Sequence, residues 1–131
     1  MKALFLLLVL GLFAGCSRVE LPALASPSGT YFARAEISGD EAGTVKRLCV
    51  RLRVLDQASK KEAIFQTDAS DRMKWAIAWA AEKTLVLYSS DVGMHAYDIR
   101  EGSITERPPT ESEKDVARIA YEKRYGQKPR A

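Results

Sequence analysis

Between residues 30 and 99 the chain breaks into short runs of alternating apolar and polar side chains, parted at intervals of roughly 8–12 residues by clusters of Gly, Ser and Asp. A period of two suits a pleated strand with one buried face. It does not suit a helical bundle, whose apolar positions recur every three to four residues. The clearest run is Arg47-Leu-Cys-Val-Arg-Leu-Arg-Val54, in which Leu48, Val50, Leu52 and Val54 take one face and Arg47, Cys49, Arg51 and Arg53 the other. Thr30 to Ile37 alternates in the same way, and Glu62 to Gln66 is a shorter copy that ends in a turn at Thr67 to Asp71. Lys74 to Trp79 projects Trp75, Ile77 and Trp79 to one side, and Met94 to Ile99 follows the turn at Ser90 to Gly93. Thr84 to Ser89 is apolar on both faces, which marks a central strand. The expectation is a mainly β fold: an antiparallel meander or two-sheet sandwich of about six strands.

The period changes near the C-terminus. Pro108-Pro109 ends the sheet pattern, and Thr110-Glu-Ser-Glu113 is a capping box that opens a helix. The helix is expected over 111–125, with Gly126 as its stop. Acidic Glu111, Glu113 and Asp115 lead and basic Lys123 and Arg124 close, matching the helix dipole. Its apolar stripe, Val116, Ile119, Ala120 and Tyr121, is narrow, so it should dock on a sheet rather than lie within a core. Gln127 to Ala131 should fray.

The first seventeen residues give an address. Lys2 precedes an apolar run from Ala3 to Phe13, too short for the roughly 20 residues that span a bilayer and within the roughly 7–15 of a secretory signal. The run ends in Leu12-Phe-Ala-Gly-Cys16, which resembles the lipobox of bacterial lipoproteins. That resemblance implies cleavage after residue 15, a diacylglycerol on the Cys16 thiol and a fatty acid on the new amine. Phe13 stands where the family more often has Leu. Ser17 stands where the family's inner-membrane retention signal has Asp, which implies the outer membrane, facing the periplasm. Residues 16–28, with Pro22 and Pro27, read as a tether, and residues 29–131 as one domain. The covalent lipid is the only attached group expected.

Two stretches repeat weakly. Ala25 to Phe32 lines up with Trp79 to Val86, and Val54-Leu-Asp56 with Ala96-Tyr-Asp98. Each unit resembles a β-propeller blade of periplasmic translocation-associated proteins, with Ser26-Pro27-Ser28-Gly29 as the better turn and Ala81-Glu82-Lys83 in the corresponding place of the second. A closed propeller needs at least four blades and this chain has material for two, so the units must face each other or pair between chains. The resemblance implies a binding surface on loops and no chemistry.

The whole chain has 20 basic and 17 acidic side chains and a net charge of +3, a mixed surface unlike that of a nucleic-acid binder. There is one histidine, His95, so any Ser-His-Asp or Cys-His device must use it. One histidine and one spare cysteine, Cys49, cannot complete a zinc site. Cys49 reads either as a small strand residue or as a thiol activated by neighbouring arginines. Asp68, Asp71 and Asp91 fall in turns, where they either cap backbone groups or supply oxygen ligands to calcium or a carboxylate pair for hydrolysis. Trp75 and Trp79 either fill the core or line a groove for sugar rings or a partner. The candidate binding residues are therefore Trp75, Trp79, Asp91 and His95, with Cys16 for lipid. The leading expectation is a non-catalytic, membrane-anchored envelope lipoprotein that binds an envelope protein or glycan. The alternatives are a periplasmic immunity or inhibitor protein and a carboxylate-based hydrolase.

Overall fold

The computed structural model describes residues 21–37 and 48–129. Cys16 and its leader lie outside the described residues. Among the described residues, eight strands and one helix follow in chain order: β1 (Leu24–Ala25), β2 (Tyr31–Ile37), β3 (Cys49–Asp56), β4 (Glu62–Ser70), β5 (Trp75–Ala81), β6 (Thr84–Ser89), β7 (Gly93–Arg100), β8 (Ser103–Arg107) and α1 (Glu111–Tyr125). The strands form two four-stranded antiparallel sheets, β1-β2-β3-β4 and β5-β6-β7-β8, each a meander in chain order.

Eight strands replace the expected six. The two extra ones carry almost no alternation. β1 is two residues long, between Pro22 and Pro27, and β8 is Ser-Ile-Thr-Glu-Arg with one apolar side chain. Because β1 pairs with β2, the folded body starts within the stretch that reads as a tether, and Leu21 already packs against the core. β4 also runs past the turn expected at Thr67. A register shift opposite Cys49 and Arg51 lets the Thr67 hydroxyl donate to the Val50 carbonyl at 2.6 Å, and pairing resumes at Cys49 and Ser70.

The main core lies between the sheets. Ala33, Val50, Leu52, Val54 and Ala69 from the first meet Trp75, Leu85, Leu87, Tyr97 and Ile99 from the second. Burying each large side chain contributes about 1.5–3 kcal/mol. The sheets also touch at both edges, β1 with β5 and β4 with β8. A second core forms on the far face of the second sheet, where Ala76, Val86, Tyr88 and Ala96 receive Ala117 and Tyr121 of α1. β6 thus has both faces covered, as its doubly apolar sequence requires.

The helix begins and ends where its sequence says. Glu113 donates its backbone N–H to Thr110 Oγ1 at 3.3 Å and accepts from the Thr110 N–H at 2.8 Å, and Gly126 closes the helix at φ 63°. It docks on β5, β6 and β7. Three of the four expected stripe residues, Val116, Ala120 and Tyr121, pack on the sheet; Ala117 joins them, while Ile119 is 64% exposed. A narrow stripe fixes rotation only to within a residue, and the small Ala117 lets the helix sit close.

The two sheets also correct the repeat. Tyr31 opposes Asp56, and Leu85 opposes Tyr97. Aligning Tyr31 with Leu85, as the first match does, makes Asp56 correspond to Tyr97 rather than Asp98. The Asp-to-Asp match is out of register by one, which would place its members on opposite faces.

Candidate binding surface

Antiparallel order gives the sandwich two ends. The upper end carries Ile37, Cys49, the β4–β5 turn, the β6–β7 turn and the C-terminus of α1. The lower end carries the turns after β1, β3, β5 and β7.

The candidate residues Trp75, Trp79, Asp91 and His95 each have partners within the fold. Trp75 is 5% exposed and lies in the core between the sheets. The Arg124 guanidinium sits 4.1 Å above its ring, and its carbonyl accepts from Arg124 Nη1 at 2.7 Å and Tyr125 Oη at 2.9 Å. These side chains blunt the exposed edge of β5. Trp79 packs against the same core, 6.3 Å from the Tyr31 ring, and its Nε1 donates to the Leu24 carbonyl at 2.9 Å, tying β5 to β1. The two tryptophans therefore hold the sheets together. Asp91 accepts from the Ser70 N–H at 3.0 Å and from the Ser89 hydroxyl, pinning the β6–β7 turn to the end of β4. His95 has Nδ1 2.5 Å from Glu106 Oε1 and Nε2 2.9 Å from the Val92 carbonyl, so both ring nitrogens face oxygen acceptors. Cys49 is half-buried in the other sheet, opposite Ser70. Asp68 lies on β4, and Asp71 follows it with its N–H bonded to the Leu48 carbonyl at 3.1 Å.

What sequence reasoning missed is the lower end. There a cleft of about 140 Å³ opens between the sheets. Tyr31, Val54, Ala63 and Ile99 form its apolar lining, and Asp56, Lys61, Arg100 and Glu101 its charged rim. A second hollow, with Lys83, Thr84 and Asp98, shares Ile99, Arg100 and Glu101 with it. The neighbouring turns are rigidly built. Glu82 accepts from Ser26 Oγ and the Ser28 N–H, both at 2.8 Å, and from the Ser28 hydroxyl. Asp56 takes the N–H of Ala58 at 3.0 Å, and Lys60 adopts φ 60°, an uncommon left-handed conformation for a side chain of this kind. For these neighbouring turns, though not for the cleft itself, the weak repeat held a signal, because it aligns Ser26 to Gly29 with Ala80 to Lys83, and these are the turns that meet across the sheets.

Charge is tightly organised at this end and beside it. Hydrogen bonds from Ser28 and Ser26 hold the Glu82 carboxyl below its ordinary range. Arg107 donates to Asp98 at 2.7 Å and to Glu113 at 2.7 Å, joining β8, β7 and α1. Arg107 pulls Asp98 down and brings Glu113 to about 2. Burial, followed by the charges of Glu106 and Asp68, pushes the Tyr97 hydroxyl up. Among the described residues, no group of three or more His, Cys, Asp and Glu is placed to hold a metal ion, and no helix is long and apolar enough to cross a membrane.

No protein-family model, no curated protein and no solved structure matches this chain.

Proposed function

We propose that this chain is a lipid-anchored, non-catalytic binding domain of the bacterial envelope, held through Cys16 and presenting the lower-end cleft to a segment of another envelope component. The observation that carries the reading is the spacing at the N-terminus. The lipobox-like Leu12-Phe-Ala-Gly-Cys16 is separated by only Ser17 to Glu20 from Leu21, which packs against the core. The leader supplies an address and an attachment, and the folded body begins almost at once. The cleft is narrow, apolar at its floor and mixed in charge at its rim, which suits an extended peptide segment more than a small metabolite. The single histidine supports a binding rather than a catalytic role, since both its nitrogens are engaged by Val92 and Glu106.

The test uses the full chain in bacterial cells. A photo-crosslinking residue placed at Arg100 is expected to capture one envelope protein or glycan reproducibly, and the same residue at the exposed Ile119 is expected not to. Equal capture at both positions, or none at either, overturns the cleft as the binding surface. Intact mass of the purified product tests the anchor separately: cleavage before Cys16 with added acyl groups supports it, and an unmodified chain removes it.

A further inference from the structure

The strand order fixes where an anchored chain would leave the domain, and this inference rests on the lipid attachment proposed above. β1 runs antiparallel to β2, so the residues before Leu24 arrive from the upper end. Five residue steps separate Cys16 from Leu21, a reach of roughly 17 Å at about 3.3–3.6 Å per residue. The upper end therefore stands beside the headgroups.

That end is equipped for such a surface. The β4–β5 turn exposes Arg72, Met73 and Lys74 in succession, with Met73 43% exposed. The last turn of α1 and the residues after it add exposed Lys123 and Lys128. Asp71 and Glu122 are half-buried; Asp68 and Asp91 are exposed, and Asp91 is tied down by hydrogen bonds from Ser70 and Ser89. A hollow of about 480 Å³ lies between turn and helix, lined by Lys74 and Lys128 with Ser90, Gln127, Tyr88 and Tyr121. Lys74 Nζ donates to Gln127 Oε1 at 3.0 Å and lies 5.5 Å from the Tyr125 ring centre, so the cation is aimed rather than free. Cations around an apolar tip with tyrosine below is the chemistry of a bilayer interface.

We infer that the upper end is a membrane-apposition surface, in which Arg72, Lys74 and Lys128 engage the phosphates of anionic lipids while Met73 meets the acyl boundary. The anchor then does more than tether: it presses one end on the bilayer and turns the lower cleft outward.

The test uses the full chain carrying Cys49→Ser, purified from bacterial membranes. A fluorophore is placed at the upper end by Met73→Cys or at the lower end by Glu101→Cys. Each protein is reconstituted into phosphatidylcholine vesicles with or without phosphatidylglycerol, with nitroxide quenchers on the lipid headgroups. The Met73 position should be quenched several-fold more than the Glu101 position, and more strongly when phosphatidylglycerol is present. Arg72→Glu, Lys74→Glu and Lys128→Glu together should abolish the dependence on lipid charge, since apposition weakens roughly fivefold per cation lost. Equal quenching at the two ends, stronger quenching at Glu101, or indifference to lipid charge overturns the inference. Intact mass of the same samples separates the two readings. An acylated protein with a dark upper end sinks this surface alone. An unacylated protein that still brings Met73 to anionic vesicles supports the surface and sinks the anchor. An unacylated protein that ignores vesicles sinks both.

Discussion

The two sheets have the same strand order and opposite outer faces. The second sheet turns Ala76, Val86, Tyr88 and Ala96 outward, and α1 covers them. The first turns out Phe32, Arg34, Glu36, Arg51, Arg53, Glu62 and Ile64, and α1 packs on none of them. The inner faces are alike, since both feed one core. A single four-stranded meander can thus be given either a buried or a solvated second face by changing alternate residues. Small side chains let a helix approach; arginines paired across strands make the face complete without one.

The sharpest way to break this comparison is to remove the cover. A chain ending at Pro109 is expected to lose cooperative unfolding and bind a hydrophobic dye strongly, because the apolar face of β5–β7 would be left open. Replacing Arg34, Arg51 and Arg53 together by Ala on the first sheet should leave a cooperative fold. If near-ultraviolet circular dichroism and dye binding show the two variants behaving alike, the outer faces do not differ as described.

Smaller effects follow single side chains. Trp75→Ala removes a ring that touches both sheets and carries Arg124, and should cost about 3–5 kcal/mol in urea unfolding. Phe32→Ala, on the uncovered face, should cost well under half of that. Near-equal values would place Phe32 in a packed layer that the first sheet lacks.

The join between helix and second sheet should also show in acid. The Glu113 side chain is only 14% exposed, and Arg107 lowers its pKa from an ordinary 4.5 to about 2. A depressed carboxylate stabilises the fold above its unfolded pKa, and that stability drains away as pH falls toward the folded value. Between about pH 4.5 and 2 the unfolded chain binds the proton more readily, so stability should fall across that window. Glu113→Gln should cost about 1–2 kcal/mol at pH 7 and flatten the acid limb, read as midpoint against pH. An unchanged acid limb would show that Arg107 joins the helix to the sheet in geometry alone.

Much of this was legible in the sequence, and the exceptions share a cause. β3, β5, β6 and the capped helix announce themselves because their side chains carry the burial signal: Leu52 and Val54 inward, Trp75 inward, Thr110 and Glu113 reciprocal. β1 and β8 do not. They are edge strands held by backbone pairing and by single contacts such as Trp79 Nε1 to Leu24, and backbone pairing leaves no period in the residues. The lower cleft was invisible for a related reason. Its residues come from strand ends and turns of both halves, brought together by the face-to-face packing of the sheets rather than by any spacing along the chain. His95 and Asp91 looked like chemistry because of their type, and only the structure shows Val92, Glu106, Ser70 and Ser89 occupying them.

The smallest expected effect tests the uncovered face directly. Glu36 accepts from Arg53 at 2.8 Å and from Arg51 at 3.1 Å, and Arg53 reaches on to Glu62 at 2.6 Å, so four charges bridge three strands. Arg53 is the chief cause of the lowered Glu36 pKa, with Arg51 adding to it. These side chains are roughly a quarter to a half exposed, and water screens them, so Glu36→Gln should cost less than about 1 kcal/mol. That loss should shrink further as salt rises toward 1 M, where the screening length is about 3 Å. A loss that is large and insensitive to salt would mean that this face is shielded from solvent after all, and that the first sheet, like the second, has a cover.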